Sequence, residues 1–92
     1  MRLHYSQRFR ADLTRLHEFL AQKDPIAASR VAWRLRQAPK ALLSQPRQGQ
    51  RLKTYSPREV RRLLVGPYEL RYEIQGADIF LLNLWHSRER RP

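Results

Sequence analysis

The 92-residue sequence contains no cysteine, so neither disulfides nor cysteine-ligated zinc can stabilise it. Its three glycines are scattered singly, which excludes a glycine-rich phosphate-binding loop. The longest apolar stretch, residues 79–82 with Leu84 and Trp85, is far too short to span a bilayer. Arginines interrupt any apolar run near Met1 that could act as a signal peptide. We therefore expect a soluble, cytoplasmic protein with no membrane contact.

Acidic residues are scarce, while basic residues are abundant. Eight Asp and Glu face nineteen Lys and Arg, which leaves a formal net charge of +11. Lysine occurs only at positions 23, 40 and 53, so arginine supplies most of this charge. Arginine is the preferred partner for two-pronged contact with phosphate or carboxylate. The composition therefore predicts a polyanionic partner, either nucleic acid or an acidic protein, with a merely solvated basic surface as the alternative.

The first half of the chain has the apolar spacing of two helices. Ser6 is a candidate N-cap for the first helix, and Asp24–Pro25 signals the start of the second. Pro39 should kink the second helix or end its regular part. The short connection predicts an antiparallel hairpin. The apolar residues of the first helix recur at helical spacing: Phe9, Leu13, Leu16 and Leu20.

The second half changes to the pattern of strands. "REVRRLLV", "YELRYEIQ" and "DIFLLNLWH" are separated by the turn signals Gly66–Pro67 and Gly76–Ala77. The middle segment alternates apolar and charged residues, which predicts one covered face and one open face. The last is apolar on both faces and should lie inside the sheet, and "RLHYS" is a candidate for a short first strand. We predict one α+β domain over residues 1–92, with an N-terminal antiparallel helical hairpin on one face of a small, mainly antiparallel sheet of three to four strands.

The uncovered face of the sheet is the first candidate site. Arg71 belongs to the charged set of its strand and must point away from the helices, where Arg61 or Arg62 can join it. Pairing of Arg71 with a neighbouring glutamate is the alternative. Acidic residues are nevertheless too few to neutralise all the arginines in this half of the chain. We predict an arginine-lined groove built from Arg61, Arg62, Arg71, Arg88, Arg90 and Arg91.

The histidines offer limited chemistry. His4, His17 and His86 lack the spacing of metal ligands, so we expect no metal site and no small-molecule cofactor. RNA cleavage through the 2'-hydroxyl needs only a general acid, a general base and cations around the phosphate. Imidazole titrates near pH ~6.5, which suits proton transfer near neutrality. The catalytic set for a ribonuclease would be His86, Arg61, Arg71, Arg88 and Lys53. A strand-end His86 that hydrogen-bonds a neighbour or partner is the alternative.

The order of these features resembles the RelE/ParE superfamily of type II toxins from bacterial toxin–antitoxin modules. The matching features are Asp12–Leu13 in the first helix, Ala27–Ala28 opening the second, Leu43…Pro46…Gly49 at its exit, Gly66–Pro67–Tyr68 between strands and the closing His86…Arg88. The resemblance spans nearly the whole chain. Each motif alone is weak, whereas their order and spacing together are specific.

The resemblance implies a growth-inhibiting toxin that a cognate acidic antitoxin neutralises in a hetero-oligomeric complex. In this family the antitoxin's partly disordered segment folds on the toxin, often as a helix across the basic sheet face or the helical hairpin. Coupled folding of an acidic segment would complement the charge of this chain. The residues then expected to contact antitoxin or target are Arg61, Arg62, Arg71, His86, Arg88 and Arg90.

The two branches of the superfamily imply different activities. RelE-like members cleave mRNA on the ribosome, whereas ParE-like members inhibit DNA gyrase without catalytic residues of their own. Ribonuclease members carry an acidic or lysine-rich cluster before the second strand and an aromatic residue near the chain end. Here Gln50, Lys53 and Ser87–Arg88 stand at those places. We therefore favour a ParE-like gyrase inhibitor, with a ribosome-dependent endoribonuclease as the alternative and a basic nucleic-acid-binding module as the second alternative.

Overall fold

A computed structural model of the chain describes residues 1–89. Two helices follow a short first strand, and the remaining strands complete an α+β fold. The elements in chain order are β1 (Arg2–Tyr5), α1 (Gln7–Ala21), α2 (Pro25–Ala41), β2 (Gln50–Arg51), a 3₁₀ turn (Lys53–Tyr55), β3 (Glu59–Val65), β4 (Tyr68–Gln75) and β5 (Asp78–His86).

Both helices begin at the predicted caps. The Ser6 hydroxyl accepts a hydrogen bond from the Phe9 amide at 3.0 Å and donates one to the Leu82 carbonyl at 2.9 Å. The Asp24 carboxylate accepts from the Ala27 amide at 3.1 Å, and Pro25 is the first residue of α2. Such a cap contributes about 1 kcal/mol. The Ser6 bonds also attach the start of α1 to β5, so the cap helps to orient the hairpin on the sheet.

Helix α2 continues past Pro39 and ends two residues later, at Ala41. Proline removes one amide donor from the helix, yet the buried Pro39 ring contributes to the core. Beyond it the chain tightens, because the amides of Leu42 and Leu43 bond three residues back, at 3.1 Å each. The proline therefore lies within the last turn of the helix.

The sheet has five strands in the order β1-β5-β4-β3-β2. β1 pairs with β5 in parallel, and all other neighbours are antiparallel. The structure confirms the mainly antiparallel sheet, the candidate strand in "RLHYS" and the internal position of β5. The sequence analysis did not predict β2, because two residues cannot display an alternating pattern. β2 adds the fifth strand and forms one edge of the sheet.

A β-bulge in β5 changes which side chains face the helices. In the register, Tyr72 opposes Leu81 and Arg71 opposes Asn83, so Leu82 has no partner on β4. Opposed residues share a face of the sheet. The extra residue therefore shifts the alternation by one position in the second half of β5. Leu84 consequently lies in the core beside Leu70, while Trp85 lies on the other face, opposite Glu69.

Candidate functional site

The open face of the sheet is centred on Arg71, whose guanidinium is held by partners within the chain. Arg71 donates from Nε to Glu69 Oε2 at 3.0 Å and from Nη1 to the Tyr55 hydroxyl at 2.9 Å. Its guanidinium carbon also lies 4.7 Å from the Trp85 ring centroid, at cation–π distance. The Arg71 side chain is consequently only 19% exposed. Alternation placed this residue correctly on the open face.

Arg62 is the residue of β3 that joins Arg71. The two are directly opposed in the β3–β4 register, and Arg62 Nε donates to Gln50 Oε1 at 2.9 Å. Arg62 Nη1 lies 3.6 Å from Glu69 Oε1. The Glu69 side chain is 1% exposed, so one buried carboxylate stands between two arginines. A buried carboxylate requires such pairing, because an unpaired charge away from water is costly.

A second acid–arginine pair lies on the same face. Arg58 makes two parallel hydrogen bonds to Glu73, at 3.1 and 2.7 Å. The Arg58 hydrogen bonds lower the pKa of Glu73, against the opposing effect of burial. Tyr55, from the 3₁₀ turn, lies between Arg58 and Arg71, with ring centroid distances of 5.8 and 5.9 Å. The segment that precedes β3 thus covers part of the face that the sequence analysis treated as open.

Arg61 faces the other side of the sheet. It is opposed to Tyr72, which packs toward the helices, and its Nε donates to Glu59 Oε2 at 2.8 Å. Its Nη1 donates to the carbonyl oxygens of Gly49 at 2.7 Å and Arg47 at 3.2 Å. Arg47 in turn holds Glu59 with two hydrogen bonds and lowers the pKa of that carboxylate. Arg61 therefore supports the loop between α2 and β2.

The same loop explains the proline and glycine of the α2 exit. The buried Tyr72 hydroxyl donates to the Pro46 carbonyl at 2.7 Å and accepts from the Gly49 amide at 3.0 Å. Burial raises the pKa of Tyr72. A Cβ at position 49 would lie 2.6 Å from the Arg62 carbonyl oxygen and 2.7 Å from the Tyr72 hydroxyl, so glycine is required there for close packing.

His86 lies on the helix side of the sheet, at the end of β5. It is opposed to Tyr68, and the two rings meet edge to face at 5.2 Å. The Arg88 amide donates to His86 Nδ1 at 3.1 Å. This bond requires Nδ1 to be unprotonated, so the neutral ring carries its proton on Nε2. In this tautomer Nδ1 accepts from the main chain and the Nε2 proton is left for another partner.

A cleft of about 730 Å³ adjoins His86 between α1 and the end of β5. Within it, Arg15 Nη1 holds both Glu89 oxygens at 2.8 and 2.7 Å, and Arg15 Nη2 lies 3.3 Å from Asp12. The buried Asp12 accepts from the Leu84 amide at 2.9 Å. The roles of Arg15 and Glu89 were not predicted from the sequence. Asp12 joins α1 to β5. Its position on the apolar stripe of α1 was the sequence feature that could have indicated a buried, paired acid.

The structure does not bring the predicted site residues together. Arg62 and Arg71 are neighbours on the open face, whereas Arg61 and His86 lie on the opposite side of the sheet. Of the two β3 arginines considered, Arg62 therefore joins Arg71 on the open face and Arg61 does not. Lys53 and Arg88 are exposed. Arg90 and Arg91 lie outside the described residues.

Most of the exposed Lys and Arg side chains lie on the helical hairpin, and they were not among the predicted site residues. Residues 25–58 contain eight Lys and Arg and no Asp or Glu. On α2 the cations are exposed, and across residues 1–89 none of them forms an ion pair. Trp33 and Ile26, on the same helix, are 60% and 73% exposed. The acid-free run was visible in the sequence and was the signal for this surface. The α2 cations are Arg30, Arg34, Arg36 and Lys40.

Residues 1–89 contain neither a metal-binding cluster nor a membrane-spanning helix. No group of three or more His, Asp or Glu side chains could hold a metal ion within that range. No helix in the described part of the chain is long and apolar enough to cross a membrane.

A hairpin of two helices on one face of an open five-stranded sheet is the fold of a solved toxin–antitoxin protein. A chain of the structure described as the chromosomal ParDE TA system from P. aeruginosa superposes with a TM-score of 0.79 over 94% of this chain and 95% of that one, at 21% identity. Toxin RelE2 of Caulobacter vibrioides is 35% identical over 77 residues, which is 84% of each chain. The model of the ParE toxin of the type II toxin–antitoxin system parDE matches residues 3–91. The chain belongs to this family of toxins, which confirms the resemblance seen in its sequence.

Proposed function

We propose that this toxin arrests growth by binding and poisoning DNA gyrase, and that it does not cleave RNA. The proposal is supported by one observation: residues that a ribonuclease would need at one site lie on opposite sides of the sheet. His86 lies on the helix side of the sheet with its Nδ1 bonded to the Arg88 amide, while Arg71 lies on the other side. General acid–base catalysis needs these groups within reach of one scissile phosphate. An inhibitor that acts by binding needs only a complementary surface.

The proposal includes neutralisation by a cognate acidic antitoxin. A net charge of +11 favours rapid association with an acidic partner. Of the contact residues expected from the sequence, Arg62 and Arg88 are the more accessible in residues 1–89. Arg61 and Arg71 have side chains only 15% and 19% exposed, because glutamates and carbonyl groups already hold them. We therefore expect Arg88→Glu to weaken antitoxin binding directly. Arg62→Glu should weaken it too, but it would also place a second carboxylate beside the buried Glu69.

The test is a supercoiling assay with purified gyrase and relaxed plasmid. We expect increasing amounts of the full chain to abolish supercoiling, and His86→Gln to inhibit as strongly as the unmodified chain. His17→Gln, an exposed histidine of α1, is the matched control. Complete supercoiling at saturating protein would contradict the proposal.

A parallel experiment addresses the alternative activity. Primer extension on mRNA from induced cells would show in-frame codon cleavage if the toxin were a ribosome-dependent ribonuclease. We expect intact transcripts in growth-arrested cells. Cleavage that disappears with His86→Gln and persists with His17→Gln would replace the gyrase mechanism by the RelE-like one.

A further inference from the structure

The side of α2 that faces away from the sheet carries a row of cations around an exposed tryptophan. At about 100° per residue, Arg30, Arg36 and Lys40 project within about 60° of Trp33. The buried residues Ala28 and Leu35 lie on the opposite side of the helix. All three cations are exposed, and Trp33 is 60% exposed. We call this surface, together with Arg10 of α1, the outer basic face.

Arg10 belongs to this surface because a groove of about 440 Å³ joins the two helices there. Apolar side chains and the cations Arg10, Arg36 and Lys40 line it, with no carboxylate among the lining residues. The other cleft, near His86, contains Glu89, which already binds Arg15. The groove on the outer basic face thus keeps its positive charge uncompensated. Its apolar lining residues are Tyr5, Phe9 and Leu13.

We propose that the outer basic face binds duplex DNA through its phosphates, independently of base sequence. Arg30 and Lys40 are ten residues apart, or about 15 Å along the helix axis. One strand of B-DNA presents a phosphate about every 3.4 Å of its axis, so this length spans about four phosphates. The face offers four cations, Arg10, Arg30, Arg36 and Lys40, and contains no acid that would repel the backbone.

The shape of the surface favours a duplex over the other polyanions. Single-stranded nucleic acid is bound on several stacking aromatics in a groove, whereas Trp33 is a single aromatic on a convex helix. The cations run along the whole row, which matches the regular line of charges that a phosphate backbone presents. The indole of Trp33 can lie against the sugar edge of a backbone that the cations hold. DNA binding goes beyond the proposed gyrase mechanism, since it requires no gyrase.

The test measures the salt dependence of DNA binding by the purified full chain. Fluorescence anisotropy with a labelled 24-base-pair duplex is recorded between 50 and 300 mM salt. Four phosphate contacts predict that log K falls against log salt with a slope of about −3.6. Arg30→Gln/Arg36→Gln/Lys40→Gln should reduce the slope to about −1 and the affinity at 100 mM salt by at least about tenfold.

The matched control removes three charges elsewhere without leaving an acid unpaired. In Arg2→Gln/Arg8→Gln/Arg47→Gln, Asp78 keeps His4, Asp12 keeps Arg15 and Glu59 keeps Arg61. The net charge is the same as in the first triple variant. We expect the slope of this control to stay within about one unit of the unmodified chain. Circular dichroism checks that both variants are folded.

Tryptophan fluorescence gives an independent readout. Of the two tryptophans, Trp85 is only 4% exposed, so iodide quenching reports mainly on Trp33. We expect DNA to protect Trp33 from iodide. Equal loss of slope in the two triple variants would overturn the proposal, because binding would then depend on net charge alone. Loss of polyglutamate binding with DNA binding intact in the first variant would also overturn it and would assign the face to an acidic protein.

Discussion

The open face of the sheet and the outer basic face of the hairpin both carry arginines, but the arginines of the sheet are paired with carboxylates. On the sheet, Arg71 and Arg58 are held by Glu69 and Glu73, and Tyr55 packs between them. On α2, Arg30 and Arg36 form no ion pair within residues 1–89. The number of arginines in the sequence therefore overestimates the accessible positive charge on the open face of the sheet. It underestimates that charge on the outer basic face.

The difference follows from where each face meets water. Glu69 and Glu73 alternate with core residues of a central strand, and neighbouring side chains cover them. Covered carboxylates must be paired, so they take the nearest guanidinium groups. The outward side of α2 remains hydrated, and cations in water need no partner. Pairing on the sheet stabilises the fold, while the charge on α2 stays in contact with water.

The largest expected effect is on the open face. Glu69→Gln would remove the buried carboxylate that Arg62 and Arg71 share. We expect the free energy of unfolding to fall by about 3 kcal/mol, as when one partner of a buried ion pair is removed. Urea denaturation measures it, and Glu18→Gln on the exposed side of α1 is the control, with a change below about 0.5 kcal/mol. Equal stability of the two variants would show that the sheet arginines are not tied to Glu69.

Low pH should reduce the free energy of unfolding by less than Glu69→Gln does. Arg58 lowers the pKa of Glu73 and Arg47 lowers that of Glu59, both from an ordinary value of 4.5. A lowered carboxylate pKa contributes stability that is fully present above the ordinary value and is lost as the pH falls through the folded-state value. We expect the urea midpoint to decrease below pH 4.5.

The control for this pH dependence compares paired with free arginines. Arg47→Gln/Arg58→Gln should flatten the decrease of the urea midpoint, because the pKa values of Glu59 and Glu73 return toward their ordinary value. Arg30→Gln/Arg36→Gln should leave the decrease as it is. An identical pH profile for the two double variants would contradict the distinction between paired and free arginines.

The smallest expected effect on stability is on the outer basic face. Removing Arg30, Arg36 and Lys40 together should change the free energy of unfolding by no more than about 0.5 kcal/mol, since exposed side chains away from caps and pairs contribute little. A slight gain is expected from reduced repulsion in a chain of net charge +11. Thermal unfolding of this variant beside the unmodified chain measures it. A loss comparable with that of Glu69→Gln would mean that these cations are structural.

Much of the fold follows from local signals in the sequence. The Ser6 and Asp24–Pro25 caps fixed both helix starts, and the glycine turns fixed the β3–β4 and β4–β5 hairpins. The turn at Gly66–Pro67 also implies that Arg62, and not Arg61, opposes Arg71. Counting back from the turn, with Val65 opposite Tyr68, is enough to choose between the two arginines. Two-residue β2 carried no periodic signal and could not be predicted.

The position of His86 could not be predicted for a different reason. Without the bulge, the β4–β5 turn would place Trp85 opposite Tyr68 and direct His86 to the open face, beside the arginines. The extra residue, Leu82, shifts the register and moves His86 to the helix side. Because β5 is apolar on both faces, its sequence has no alternation from which such a shift could be recognised.

Arginine modification with phenylglyoxal, followed residue by residue with mass spectrometry, tests the central claim most directly. It compares the rates of Arg30 and Arg36 with those of Arg61 and Arg71 in one sample of the folded chain. Free, hydrated guanidinium groups should react first, and those held by Glu59 and Glu69 should react last. The result that would contradict the account is modification of Arg61 and Arg71 as fast as, or faster than, that of Arg30 and Arg36.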